Sequence, residues 1–159
     1  MKKTNVDLLL TNALQVVTIM PSMAQNAPRR GAEMSELNII ENGAVAVKNG
    51  IIVWAGSSAE PKRNFSAKKN YDCKGRIVTP GLVDPHTHLI FPATRENEFE
   101  LRIKGATYQE IAAKGGGIRA TVGKLRAAGR NELKARALGH LKTMLAYGTT
   151  SIDAKSGYG

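Results

Sequence analysis

His86 and His88 stand one residue apart in PGLVDPHTHLIF, residues 80–91. On a strand, side chains i and i+2 share a face. The two imidazoles are therefore expected to project together, with Thr87 on the other side. Two neutral imidazoles converging from one rigid element are half of a metal site. The bland alternative is a pair of core histidines satisfied by hydrogen bonds, and an isolated H-x-H does not decide between the two. Position does. The pair closes an apolar run opened by Pro80-Gly81, and sites in α/β proteins lie at the carboxyl ends of strands. Burying both rings without a partner would be costly, and an ion supplies the partner.

Other candidates flank the pair. Arg95 lies shortly after His88. Arginine is mostly a surface residue, but its planar fork can also grip a carboxylate through two parallel hydrogen bonds. Tyr158, between two glycines in SGYG, is poorly suited to a core. Tyr108 is either a packing residue at a helix start or a substrate contact. Glu96, Glu98 and Glu100 read as solvated or ion-paired helix residues, and Lys155 has no role assigned. His140 is expected on the polar side or edge of its helix, as a structural residue. Cys73 reads as a small apolar residue. The glycines at 115–117 and Gly123-Lys124 faintly suggest a phosphate loop, but Ile118 and Leu125 occupy positions where that motif needs Gly and Ser or Thr.

The elements that must hold these residues follow from periodicity and turn residues. Residues 6–19 contain two β-rich runs around Thr11-Asn12. Residues 21–37 are loop-like, with Pro21, Pro28 and Gly31 as breakers. Asn42-Gly43 and Asn49-Gly50 flank the alternating AVAVK, and the second pair predicts a hairpin. Residues 60–70 read as a polar, basic loop. The region 1–80 is thus expected to be a small antiparallel β domain. Beyond it, residues 81–159 should hold a buried strand ending at the histidines, then helices, then a second buried strand, TTSIDAK. A capping box of Thr107 and Glu110 opens one helix and Gly115 ends it. A further helix fits 118–128. The clearest helix is expected over 132–147, capped by Asn131, with Leu133, Ala137, Leu138, Leu141, Met144 and Leu145 at helical spacing and Gly148 as the stop. Strand, helical crossover and strand make a βαβ unit and imply parallel pairing. A lone unit cannot cover both faces of a parallel sheet, so the sequence reads as the front part of a longer protein. It should leave apolar surface exposed.

Composition excludes several classes. The 159 residues carry a formal net charge of +10. Residues 1–80 hold 11 Lys+Arg and 6 Asp+Glu, and residues 81–159 hold 12 and 7, so the excess is +5 in each part. No basic arm stands out, and 5% aromatic residues give little for base stacking, which speaks against nucleic-acid binding. One cysteine precludes an intrachain disulfide and suits a reducing, cytoplasmic compartment. Asp7, Thr11, Asn12 and Gln15 interrupt the apolar N-terminal stretch, against a secretory signal. No stretch has the roughly 20 apolar residues of a membrane helix.

The stretch DCKGRIVTPGLVDPHTHLIF resembles the barrel entry of the amidohydrolase superfamily, where a small β domain leads through a Pro-Gly turn into the first strand of a metal-dependent (β/α)8 TIM-like barrel. TRENEFELRIKGATYQEIAAKGGGI and AKSGYG resemble the imidazolonepropionase family in particular. The resemblance covers essentially the whole chain and implies an α/β fold comprising the β domain and the first βαβ unit of a truncated barrel. It implies one Zn²⁺ or Fe ion held by His86 and His88. Arg95 would bind the propionate carboxylate of 4-imidazolone-5-propanoate, with Tyr158 and Tyr108 near the substrate. The reaction implied is hydrolysis to N-formimidoyl-L-glutamate in histidine degradation. The remaining ligands and the acid/base residues are expected beyond Gly159, so this chain alone is expected to be inactive. Homodimerisation of the longer protein is a further expectation of the resemblance; nucleic acid and membranes are not expected partners. Two alternatives stay open: another metal-dependent amidohydrolase, either a cyclic amide hydrolase or a deaminase, and a non-catalytic basic binding module.

Overall fold

The computed structural model describes residues 3–20 and 28–155. The chain divides into two compact units, Met1–Pro80 and Gly81–Gly159.

The first unit is one five-stranded sheet. Its strands are β1 (Thr4–Val17), β2 (Ile39–Lys48), β3 (Ile51–Ser57), β4 (Phe65–Asp72) and β5 (Ile77–Val78). The order β3-β2-β1-β4 places β1 centrally, with β5 also pairing β1. The sheet is mixed, which corrects the antiparallel expectation. β2 pairs antiparallel with β1 and β3, whereas β4 and β5 run parallel to β1. The cause is the segment 60–70, which is not a loop. It contains a one-turn helix, α1 (Pro61–Asn64), and most of β4. The helix carries the chain across to the far side of β1, so β4 enters parallel. β4 has Lys68 and Lys69 exposed, the charged habit of an edge strand. Its inward Phe65 and Ala67 join Val6, Leu9, Ala46 and Trp54 in one core cluster, and a second gathers Ala13, Val16, Val45 and Cys73.

Asn49-Gly50 forms the hairpin turn between β2 and β3, with φ of 52° and 76°. Both values are positive, as a type I′ turn requires, and Lys48 pairs Ile51 across it. Asn42-Gly43 is not a turn. It lies inside β2, facing a register shift between Leu10 and Ala13 that makes the two runs around Thr11-Asn12 one bulged strand. In the region read as loop, Gly31–Ser35 forms a short 3₁₀ helix; residues 21–27 lie outside the described residues.

The second unit contains β6 (Leu82–Thr87), α2 (Glu96–Ile103), α3 (Tyr108–Ala113), α4 (Gly117–Ala127), α5 (Arg130–Ala146) and β7 (Thr149–Ala154). β6 and β7 pair in parallel, completing a βαβ unit. The strands approach closely beside Gly81, where a Cβ would lie 2.0 Å from the Thr150 hydroxyl oxygen. The strands are not buried. Leu82 and Val83 are 56% and 67% exposed, because two strands have no neighbours to cover them. β6 also ends at Thr87, before Leu89, Ile90 and Phe91.

The capping box at α3 forms as expected, the Thr107 hydroxyl accepting from Glu110 N–H and the Glu110 carboxylate from Thr107 N–H. Asn131 does not cap α5. The helix begins at Arg130, with Gly129 in the extended conformation of a cap position and no side-chain cap, so Asn131 already lies inside the first turn. His140 is not on a solvated face. It is half-buried against Phe91, while Leu138 and Leu145 are the exposed ones. α5 lies against β7, and the face that turns inward is Leu133, Ala137, His140, Leu141 and Met144. Among the described residues, no helix is long and apolar enough to cross a membrane.

Candidate active site

β6 delivers His86 at its last turn of pleat and His88 just past its end. Their ring centroids are 5.4 Å apart, with the rings inclined at 64°. The i, i+2 spacing thus brings both imidazoles to one place. Two contacts hold the strand end still. The Thr87 hydroxyl donates to Asp153 C=O at 3.0 Å, and Lys155 N–H donates to Thr87 C=O at 2.8 Å. The His86 N–H donates to the Asp84 carboxylate at 3.1 Å, fixing the backbone before the pair. Lys155 is also ion-paired with Asp153.

The burial argument for a metal does not hold. His86 is exposed and His88 half-buried, so desolvation alone does not demand a cation. What the pair retains is convergence. A catalytic zinc takes three protein ligands and keeps one open position. Two imidazoles from one strand end fit two of those positions, and among the described residues no cluster of three or more His, Cys, Asp or Glu side chains exists.

Beside the pair lies a cleft of about 590 Å³, lined by His88, Phe91, Arg95, Glu98, Phe99 and Tyr108 among others. It brings together three of the residues singled out in the sequence: His88, Arg95 and Tyr108. His86 does not line it, and Tyr158 lies outside the described residues. Arg95 is placed by helix chemistry. Its carbonyl accepts from both Glu98 and Phe99 N–H, which starts α2 and sets the side chain at the cleft. Ile90, Phe91, Phe99, Ile111, Ile118 and Leu125 form apolar wall, and polar or charged side chains, Arg95 and Arg102 among them, share the lining.

Glu98 is one of the helix residues expected to be solvated or ion-paired, and it is ion-paired. It carries an ion pair with Arg95 at 3.4 Å, with its side chain only 21% exposed. Its other oxygen accepts from Gly117 N–H at 2.9 Å. The only available signal was the i, i+3 spacing of Arg95 and Glu98. Glu96 accepts from the Thr94 hydroxyl, which holds its carboxyl below the usual carboxylate range.

Comparison with known proteins agrees in fold and in sequence. In fold, the chain is similar to an adenosine deaminase from Xanthomonas campestris with bound zinc: TM-score 0.63, 22% identity, covering 97% of this chain and 30% of that one. At that identity the likeness is one of fold. In sequence, the chain is similar to imidazolonepropionases. Identity is 44% with that of Bacillus cytotoxicus, 47% with that of Bacillus cereus strain ZK / E33L and 46% with that of Bacillus thuringiensis strain Al Hakam. Each alignment spans 153 residues and 96% of this chain. The chain spans about a third of the length of these relatives, 35% in each case. No family model matches the chain.

Proposed function

We propose that this sequence is the part of an imidazolonepropionase that carries the first metal-ligand pair and the substrate's carboxylate clamp. The substrate is 4-imidazolone-5-propanoate. Water adds to the ring carbonyl carbon, the adjacent C–N bond breaks, the nitrogen takes the proton, and N-formimidoyl-glutamate results. The observation that carries the reading is the juxtaposition of His88, Arg95 and Tyr108 around one cleft next to the His86–His88 pair. The similarity to imidazolonepropionases supports it.

The chain's own residues bind and orient. Arg95 grips the propionate through its planar fork. With the tail fixed there, the ring is held toward His88, and holding reactants in a near-attack pose lowers the barrier by restricting their freedom. Apolar walls exclude water from the flanks of the ring. Tyr108 contacts the substrate from α3, and Tyr158 is assigned a substrate contact by the resemblance alone. His86 and His88 would hold a Zn²⁺ or iron ion, which when bound would supply Lewis-acid polarisation of the ring carbonyl. The (β/α)8 barrel of a longer chain would supply the remaining ligands and the acid/base groups, and would operate in the cytoplasm.

The test uses this sequence joined to the remaining length of its relatives. Arg95→Lys replaces a fork by a point charge, so kcat/KM should fall roughly tenfold to a hundredfold, the scale of one or two charge-assisted hydrogen bonds. The loss should shrink for an analogue lacking the propionate carboxylate. Equal losses with both substrates would overturn the clamp.

A further inference from the structure

We infer that Glu98 is a positioning residue that presents the Arg95 fork to the substrate carboxylate; this rests on the clamp reading above. The Glu98 carboxylate is shared between two groups. Oε2 meets Arg95 Nη1 at 3.4 Å, and Oε1 accepts from Gly117 N–H at 2.9 Å. Gly117 is the first residue of α4, whose opening N–H groups have no partner inside the helix. The carboxylate is thus fixed by a backbone donor belonging to another element. Gly116 makes room for it. A Cβ on Gly116 would lie 3.1 Å from Glu98 Oε1 and 2.8 Å from Ile111 Cγ2. This gives the glycine run a reason unrelated to phosphate.

The long single contact to Arg95 is weak at its distance, but it uses one N–H of five. Four remain, including the edge that a carboxylate engages bidentately. A free arginine side chain samples many rotamers. An anchor at Nη1 removes part of that freedom before substrate arrives, which is how preorganisation raises affinity. The same turn also receives Tyr108, whose hydroxyl oxygen lies 3.6 Å from the position of a Gly117 Cβ.

Charge alone predicts the opposite sign. Glu98 is an anion beside an anion-binding group, so as a mere neighbour it should weaken carboxylate binding. Glu98→Gln separates the two effects, because the amide oxygen still accepts from Gly117 while the anchor on Arg95 is lost. The probe is 3-(imidazol-4-yl)propanoate, titrated by calorimetry into this sequence joined to the remaining length of its relatives. Its neutral alcohol counterpart is the control. Glu98→Gln should weaken the acid roughly twofold to tenfold, the scale of ordering one rotamer-rich side chain, and leave the alcohol unchanged. In nitrogen-detected NMR of the unliganded chain, the Arg95 guanidinium should rotate faster in the variant. Tighter acid binding in Glu98→Gln, or unchanged Arg95 rotation, overturns the inference. A wild-type chain that fails to bind the acid, or an Arg95→Ala chain that binds it equally well, overturns the clamp reading instead.

Discussion

The imidazole of His140 in α5 lies nearly parallel to the ring of Phe91, with centroids 4.8 Å apart and an interplanar angle of 21°. Phe91 sits three residues beyond His88 and lines the cleft, so the stack braces the loop after β6 against the crossover helix. An aromatic pair of this kind contributes about 0.5–1.5 kcal/mol beyond its buried area. His140→Ala should lower the midpoint of thermal unfolding of the second unit, and His140→Phe should restore most of the loss. If both substitutions destabilise equally, the stacking role is wrong.

The histidine pair predicts cation binding. Zn²⁺ or Co²⁺ titrated into the chain at neutral pH should bind through His86 and His88. Either His86→Ala or His88→Ala should weaken it roughly tenfold or more, because each removes one of two imidazoles. The absorption spectrum of bound Co²⁺ reports the change directly. Unaltered affinity in both variants would place the ion elsewhere.

The same pair predicts that the 159-residue chain alone does not turn over. The sequence holds three histidines, and the third is engaged with Phe91. A catalytic zinc needs three protein ligands and a nearby acid/base group. Purified chain supplied with Zn²⁺ or Fe²⁺ should leave 4-imidazolone-5-propanoate at its background rate of decay. Metal-dependent hydrolysis lost in His88→Ala would require a complete site within these residues.

Acid should loosen the first unit at a definite place. The Lys68 ammonium donates to Asp7, and Asn49 N–H in the hairpin turn donates to the same carboxylate at 2.6 Å; together they hold its pKa below the ordinary value. A depressed carboxyl contributes stability above its unfolded pKa, about 3.9, and that contribution disappears as pH falls through the folded value. The stability gap between wild type and Asp7→Asn should therefore be largest above about pH 5, begin to narrow near the unfolded value and close only below the depressed folded value. A gap independent of pH would assign the effect to shape and not charge.

The sequence made local chemistry legible and non-local chemistry obscure. Asn49-Gly50 announced its turn because two adjacent positive φ values need those residue types. Thr107 and Glu110 announced a helix start because both halves of the capping box lie within one turn. His86 and His88 came together because strand period is a local rule. The direction of β4 was hidden, since Lys68 and Lys69 look alike in a loop and on a sheet edge. The exposure of His86 was hidden too, because an apolar run signals burial only if neighbouring strands exist to cover it. The second partner of Glu98 escaped, because Gly117 is on a different helix.

The parallel pairing of Leu82 with Thr149 has a consequence for how the chain is made. The amides and carbonyls of β6 cannot find their sheet partners until β7 has emerged from the ribosome. At about 5–20 residues per second, translating the intervening helices takes roughly 3–12 s. During that interval Leu82 and Val83 have nothing to pair with, although α2 to α5 can each coil within microseconds. The helices can thus begin to coil well before the strand they are meant to cross is paired. The nascent chain then carries a sticky segment for seconds, which is a window for a holding chaperone to bind β6.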